Sequence, residues 1–268
     1  MKIYISADIE GVCGTTHWDE CDNRKPDWTE FKDQMTAEVA AACKGAMSAG
    51  ATEIVVQDAH GTARNITQKE LPDSVKLIRG WAGNPKSMVQ ELDNSFDAVL
   101  MIGYHSRAAS GGNPLSHTMR GSFIDYIKIN DQFISEFLLH GMYAATLGVP
   151  VVMISGDTAL CEEANSVNKN ITAVSVKEGL GDSTINIHPK DAIENIWQGA
   201  ESALKNDLKK CLLPTSVEYN VILRFKKHQQ AYSASFFPGC ELVGSQEISF
   251  TTKDYYEILR MIQFVIKF

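Results

Sequence analysis

The sequence lacks an excess of positive charge and lacks any long apolar run. Its 268 residues carry 25 Lys and Arg against 33 Asp and Glu, a net charge of −8 at pH 7. A general nucleic-acid binder shows a basic face, so we exclude nucleic acid as a partner and interpret the pair Lys226-Lys227 as solvated surface. The longest apolar stretches, 98–103 and 149–154, fall far short of the roughly 20 residues that span a bilayer. The sequence therefore predicts no membrane partner.

Paired cysteines are also missing, and we expect no export signal. Six cysteines are scattered along the chain without a CxxC pair or a regular spacing. This pattern favours reduced, mostly buried thiols. The chain begins with the strand-like segment MKIYIS, which has no apolar leader and no cleavage site. We expect a soluble protein of the cytoplasm.

Two common catalytic signatures do not occur. No Gly-x-Ser-x-Gly is present, which counts against a serine hydrolase. The segment Ser155-Gly156-Asp157 follows a predicted strand but lacks the lysine and glycine pattern of a phosphate-binding loop. The composition, 44% apolar and 22% charged, is that of an ordinary globular protein.

Predicted strands alternate with predicted helices over most of the chain. Strand patterns cover residues 2–8, 53–57, 75–78, 97–103 and 149–154, and helix patterns cover 29–49, 86–92, 136–147 and 189–205. Strands separated by helices imply crossover connections and a largely parallel sheet. We predict an α/β fold with a largely parallel central sheet flanked by helices.

The C-terminal part is predicted to form a smaller α+β subdomain. The polar, irregular stretch 206–214 is the best linker candidate, so we divide the chain into a metal-binding catalytic domain over 1–206 and a subdomain over 214–268. Within the first domain, residues 124–134 have the pattern of a hairpin with Asn130-Asp131 at its turn. Ser135 is placed to cap the helix that follows.

Acidic and histidine residues stand at the ends of three predicted strands. Asp8 and Glu10 end the first strand two residues apart, so their side chains share one face. Asp58 and His60 follow the second strand at the same spacing, and His105 follows the strand that begins at 97. Open α/β sheets bind ligands beyond the carboxyl ends of their strands. Since a dication relieves the repulsion between clustered carboxylates, we predict a metal site that suits zinc or manganese.

Two further candidates are ambiguous from the residues alone. His117 lies in the loop after the strand that ends near His105, where a histidine is equally well explained by a hydrogen bond to the backbone. Glu136 opens a helix, where any acidic residue complements the helix dipole. For both residues the structural and the functional interpretation stay open.

Several ordered motifs resemble those of the DppA-like zinc D-aminopeptidases. They are Ser6–Gly11 (SADIEG), Asp58–His60 (DAH), Gly103–Ala108 (GYHSRA), Ser116–Met119 (SHTM), Ile129–Asp131 (IND), Ser135–Glu136 (SE), Gly148–Val151 (GVPV) and Ser155–Asp157 (SGD). The motifs extend over about the first 160 residues, and several in the same order are far more specific than any one alone. The C-terminal third resembles the family only in its general layout.

The resemblance implies a set of roles for particular residues. Asp8 would bridge two zinc ions per chain, with Glu10 and His60 completing one site and His105 and Glu136 the other. His117 would be a catalytic residue that binds no metal. The resemblance also implies selectivity for peptides with an N-terminal D-residue and a homo-oligomeric ring, a pentamer or a decamer of two pentamers.

The resemblance implies a metal-dependent aminopeptidase that acts on short peptides. Two zinc ions would lower the pKa of a bridging water towards neutrality, and one metal or His117 would polarise the carbonyl. A nearby acidic group or His117 would return a proton to the leaving amine. Two alternatives stay open. A two-metal phosphoesterase has similar ligands, and Arg107 and Arg120 are the nearby candidates for binding its phosphate. A non-catalytic metal-binding homologue would keep the ligands without turnover.

Overall fold

The computed structural model describes residues 1–267, in which strands and helices alternate. The strands are β1 (Lys2–Ala7), β2 (Glu53–Asp58), β3 (Val75–Ile78), β4 (Ala98–Tyr104), β5 (Ile124–Ile129), β6 (Gln132–Phe133), β7 (Val151–Asp157), β8 (Thr172–Leu180), β9 (Ser183–Asn186), β10 (Tyr219–Phe225), β11 (Cys240–Leu242) and β12 (Glu247–Thr252). The helices are α1 (Trp28–Ser48), α2 (Glu136–Thr146), α3 (Thr158–Val167), α4 (Pro189–Lys205), α5 (His228–Ala234) and α6 (Tyr255–Val265). Short 3-10 helices cover Trp18–Glu20, Gln68–Glu70, Ser87–Val89 and Leu208–Cys211.

A seven-stranded sheet forms the larger layer, in the order β3-β2-β1-β4-β7-β8-β9. All neighbouring strands in it are parallel except β8 and β9. Helices α1 and α4 pack on each other and contact this sheet, and α3 contacts β7 and β8. The predicted α/β class with a largely parallel sheet is confirmed.

The central strands are apolar because both of their faces are covered. Every residue of β4 and β7 is buried, as is β1 after its first residue. Parallel strands with helices on the sheet faces have this continuous apolar pattern. Ala7 of β1 is paired with Asp58 of β2 on one side and with Ile102 of β4 on the other. The carboxyl ends of these three strands therefore lie side by side.

A five-stranded antiparallel sheet, in the order β11-β12-β10-β5-β6, forms the second layer. The predicted hairpin is present as β5 and β6, and Asn130 and Asp131 have φ values of 49° and 65° at its turn. Because β5 pairs with β10, this sheet takes strands from both sides of the predicted linker at 206–214. The boundary between a domain at 1–206 and one at 214–268 stays a prediction.

Three of the predicted helices, those over 29–49, 136–147 and 189–205, begin within one residue of the predicted start. Ser135 accepts a hydrogen bond from the N–H of Leu138 and caps α2, and Pro189 occupies the first turn of α4. Helix α2 also contacts α6, which joins the two layers. None of the helices within residues 1–267 is long and apolar enough to cross a bilayer.

The helix predicted over 86–92 is wrong. Only the 3-10 turn at 87–89 forms there, because Ser87 and Glu91 have φ values of 48° and 66°. A right-handed helix cannot continue through residues with positive φ.

Candidate metal centre

The structure brings all six predicted site residues to one edge of the parallel sheet: Asp8, Glu10, His60, His105, His117 and Glu136. Four of them follow the adjacent ends of β2, β1 and β4, which open into one crevice. Glu136 is the first residue of α2, and His117 belongs to the loop between β4 and β5.

Asp8 lies between two pairs of side chains. Its Oδ1 is 3.3 Å from Nδ1 of His60, and its Oδ2 is 3.5 Å from Nε2 of His105. The same His60 nitrogen is 2.9 Å from Oε2 of Glu10, and the same His105 nitrogen is 3.2 Å from Oε2 of Glu136. In each group the three donor atoms lie within 4.8 Å of one another. The two groups share Asp8 and have the same members as the two predicted ligand sets.

His117 lies close enough to the cluster for more than one role. Its Nε2 is 3.6 Å from Oε1 of Glu136 and 3.9 Å from Oε1 of Glu10. Its ring stacks on that of His105, with centroids 4.3 Å apart and planes at 12°. His117, His105 and Glu10 also form a third group that could hold a metal ion. The geometry therefore places His117 beside the donors without assigning it to either role.

In His60, His105 and His117, the ring nitrogen that points away from the carboxylates forms a hydrogen bond with a backbone carbonyl. The pairs are His60 Nε2 with Cys21 O (2.9 Å), His105 Nδ1 with Ser106 O (2.9 Å) and His117 Nδ1 with Leu115 O (2.8 Å). Since a carbonyl only accepts, these nitrogens carry the proton and the opposite nitrogens face the carboxylates. Such bonds fix both the tautomer and the ring orientation that metal-binding histidines need.

Burial makes the charges of this cluster interdependent. Asp8, Glu10 and Glu136 are each only 2–3% exposed. Burial alone would raise the pKa of Asp8, but the imidazoles of His105 and His60 outweigh it and lower that pKa below its usual range. Burial opposes ionisation of Glu136 in the same way, and His105 nevertheless lowers its pKa to about 2. The carboxylates of Asp8 and Glu136 are thus held ionised by their histidine neighbours.

The histidines show the complementary shift. Burial disfavours protonation of His60 and His105, but the nearby carboxylates, foremost Glu10 and Glu136 respectively, raise the pKa of each imidazole well above its usual value. A cation that binds these atoms must therefore displace the protons. Within residues 1–267, Oε2 of Glu10 and Nε2 of His105 form no hydrogen bond of acceptable angle, although His60 Nδ1 and Glu136 Oε2 lie 2.9 and 3.2 Å from them, respectively. These atoms and the mixed oxygen and nitrogen donors fit zinc.

A buried lysine fixes the backbone behind the cluster. Nζ of Lys177, which is 2% exposed, donates to the carbonyl oxygens of Glu10 and Thr15, both at 2.5 Å. The side-chain amide of Asn113 donates to the same Glu10 carbonyl at 3.0 Å and to Asp157 at 3.1 Å. Burial lowers the pKa of Lys177 to about 8. Sequence reasoning missed Lys177, because nothing in its local pattern indicates burial.

Glycines let the strand ends beside the cluster touch backbone to backbone. The carbonyl of Tyr104 lies between Gly11 and Gly156, and a Cβ atom on either glycine would collide with it. Gly103 has a φ of 70°, and a Cβ there would collide with the carbonyl of Asp8. The N–H of Gly11 donates to the carbonyl of Gly103 at 2.8 Å. The carboxyl ends of β1, β4 and β7 are therefore in direct contact.

The cluster opens into a cavity of about 710 Å³. Trp18 and Trp81, which are 46% and 41% exposed, form part of its wall, and the ring centroid of Trp18 is 5.3 Å from that of His117. Arg120 and Lys226 also line it. A second cavity of about 740 Å³ lies between α1 and α4 and is lined by no histidine, so its size alone does not mark it as catalytic.

Of the two arginines considered for phosphate binding, only Arg120 lines the cavity. The guanidinium of Arg107 donates to the carbonyls of Ala108 and Ala109 at 2.9 and 3.1 Å and lies over the ring of Phe133. Lys226, interpreted from the sequence as solvated surface, does line the cavity. Its place there depends on strand pairing rather than on a local motif.

An α/β sheet with carboxylates and imidazoles gathered at its carboxyl edge defines the class of metal-dependent hydrolases. Within that class, the D-aminopeptidase family profile matches residues 1–264, and this chain belongs to that family. The family and the class of enzyme predicted from the sequence motifs are confirmed.

A curated relative and a solved structure, both from Bacillus subtilis, are similar to this chain. A D-aminopeptidase of strain 168 is 32% identical over 260 residues, which are 96% of this chain and 93% of that protein. A solved structure, the Zn-dependent D-aminopeptidase DppA, is described as a self-compartmentalizing protease. It superposes with a TM-score of 0.92 at 29% identity and covers 100% of this chain and 99% of its own.

Proposed function

We propose that this chain removes the N-terminal residue from short peptides, D-residues above all, by means of two zinc ions. One ion would be held by Asp8, Glu10 and His60, and the other by Asp8, His105 and Glu136. The observation that carries this proposal is the position of Asp8, which directs one oxygen to each histidine. A carboxylate in that position can bridge two metals.

When bound, the two zinc ions would supply Lewis acidity and lower the pKa of a bound water to about 7. The chain's own residues supply the surroundings for this chemistry. The backbone carbonyls behind His60 and His105 hold each ring in place before any ligand arrives. Because the donors are buried and preorganised, little reorganisation is needed when charge develops.

We assign the proton transfer to His117, because its Nε2 lies 3.6 Å from Glu136 Oε1 and 3.9 Å from Glu10 Oε1. The carbonyl of Leu115 accepts the hydrogen bond from its Nδ1, which leaves Nε2 facing the carboxylates. We propose that Nε2 takes up the proton released by the attacking water and returns it to the leaving amine nitrogen as the peptide C–N bond breaks. The rings of Trp18 and His117 pack in an edge-to-face arrangement, with their centroids 5.3 Å apart.

We also propose a homo-oligomeric ring, a pentamer or a decamer of two pentamers, located in the cytoplasm. The self-compartmentalizing description of the similar DppA structure supports an assembly. The six cysteines are all free, which fits a reducing compartment. Light scattering coupled to size exclusion tests the assembly, and a mass equal to one chain would contradict it.

A phosphoesterase is the second candidate, because Arg120 and Lys226 line the same cavity and could bind a phosphate. The deciding experiment measures zinc per chain together with hydrolysis of D-alanyl-glycine, L-alanyl-glycine and p-nitrophenyl phosphate, with and without a chelator. We expect two zinc ions and chelator-sensitive cleavage, fastest for the D-peptide. Two metals with cleavage of the phosphate ester alone would establish the phosphoesterase instead. Absence of metal after reconstitution would overturn both.

A further inference from the structure

The charges that line the cavity fall into two groups. The acidic residues that line it are Asp8, Glu10 and Glu136, all of them proposed metal ligands. The remaining charged residues that line it are the cations Arg120 and Lys226. The chain has a net charge of −8, so two cations, Arg120 and Lys226, that line the same cavity as the proposed metal ligands indicate a ligand with an anionic end.

Arg120 is held with most of its hydrogen-bonding capacity unused. Its guanidinium carbon lies 3.8 Å from the ring centroid of Phe123, and its Nη1 donates to the carbonyl of Ile266 at 2.6 Å. Within residues 1–267 no carboxylate lies within salt-bridge distance of it. An arginine has five N–H donors in a planar fork that matches a carboxylate. Several of these donors remain available to a ligand.

Lys226 approaches the same place from the antiparallel sheet. It follows β10, and its backbone N–H donates to the carbonyl of Phe123 at 2.8 Å. Phe123 therefore contacts both cations: its ring packs against the guanidinium of Arg120, and its backbone carbonyl accepts the hydrogen bond from the N–H of Lys226. No salt bridge within the described part of the chain involves Lys226. The neighbouring Lys227 does not line the cavity and so offers a matched control.

We propose that Arg120 and Lys226 bind the free C-terminal carboxylate of the peptide and so restrict the enzyme to short peptide acids. This inference rests on the proposed aminopeptidase function and specifies its substrate class. Each further residue moves the carboxylate roughly 3.5 Å from the scissile bond. On this proposal, dipeptides and tripeptides place the carboxylate at the two cations, whereas longer peptides carry it beyond them.

The test compares D-alanyl-glycine with D-alanyl-glycinamide, which differ only in the terminal charge. With the zinc-loaded wild-type protein we expect kcat/KM for the acid to exceed that for the amide by roughly 10- to 100-fold, mainly through KM. Arg120→Gln and Lys226→Met should each lower this ratio, and the double variant should bring it close to one. Lys227→Met should keep the wild-type ratio. Arg120→Lys, which retains the charge, should keep part of it.

The outcomes separate this inference from the function beneath it. Equal cleavage of the acid and the amide by the wild type would overturn the carboxylate site while leaving the aminopeptidase in place. An unchanged ratio in folded, zinc-loaded Lys226→Met and Arg120→Gln variants would overturn it as well. Should Arg120→Gln fail to fold, Lys226→Met alone decides, because Lys226 is exposed and its backbone bond survives the change. Cleavage of neither peptide would refute the proposed function and this inference together.

Discussion

The two sheets contribute different things to one cavity. The parallel sheet delivers Asp8, Glu10, His60 and His105 from its strand ends, all in buried or nearly buried positions. The antiparallel layer delivers Lys226, which is exposed and long, from the end of β10. The loop with His117 and Arg120 joins the two layers. The groups proposed to hold metal are thus buried or nearly so, whereas Arg120 and Lys226, proposed to select the substrate, are exposed to solvent.

The largest effect is expected when a proposed metal ligand at the edge of the parallel sheet is removed. We expect His60→Ala to lose about one zinc per chain and to lower kcat/KM by more than roughly 100-fold, because it deletes a proposed ligand. Zinc content by atomic absorption and hydrolysis of D-alanyl-glycine measure both effects. His228→Ala, a change at an exposed histidine outside the cavity, is the control. Full zinc content in His60→Ala would remove His60 from the site.

The loop between the layers should separate binding from turnover. We expect His117→Ala to keep both metals and to lower kcat by roughly 10²- to 10⁴-fold, the range for a lost general acid or base. The measurements are zinc per chain and kcat on the same dipeptide. An unchanged kcat would return His117 to a structural role, and loss of zinc would make it a ligand through the third donor group.

A smaller effect on zinc binding is expected from Lys177, which contacts the backbone of Glu10 and not a proposed ligand atom. Lys177→Met should weaken zinc affinity by roughly 10- to 100-fold, because the carbonyl of Glu10 then loses the ammonium that fixes it. Competition against a chelator of known affinity measures this, and Lys190→Met at an exposed position is the control. Equal zinc affinities for the two variants would show that the buried ammonium supports the fold only.

The smallest effect should come from the antiparallel layer and leave the metal untouched. The hydroxyl of Tyr255 on α6 donates to the carbonyl of Leu139 on α2 at 2.9 Å in a buried position. Tyr255→Phe should lower the free energy of unfolding by about 1–2 kcal/mol, since the carbonyl loses a buried partner. Urea denaturation measures the change. A fall in zinc content at the same time would contradict the separation of the two layers.

The sequence predicted the parts of the site that depend on local order. Asp8, Glu10, His60 and His105 follow apolar strands, so their convergence follows from the rule that parallel strands open at one edge. Glu136 and His117 became candidates only through motif resemblance, because a helix start and a loop are commonplace positions for such residues. The structure now places both beside the other four.

Long-range pairing set the limit of sequence prediction. Lys226 reaches the cavity because β10 pairs with β5, and no local pattern encodes the choice of partner. Lys177 lies in a strand with an irregular burial pattern, so its desolvated position is not visible in the sequence. The predicted helix over 86–92 failed at two residues of positive φ, which neither serine nor glutamate signals.

The carbonyl of Tyr104 lies between Gly11 and Gly156 and sets the distances between the strand ends that carry the site. This contact is made by rigid peptide groups and not by side chains, which could change rotamer. The distance between the donors that follow β1 and those that follow β4 therefore cannot be adjusted by repacking side chains. An engineer who seeks a different metal must therefore exchange donor types at fixed spacing. A methyl group at either glycine would collide with the carbonyl of Tyr104 and push the strand ends apart. Every proposed ligand would still be present, but the distances between the donor atoms would no longer suit the metal.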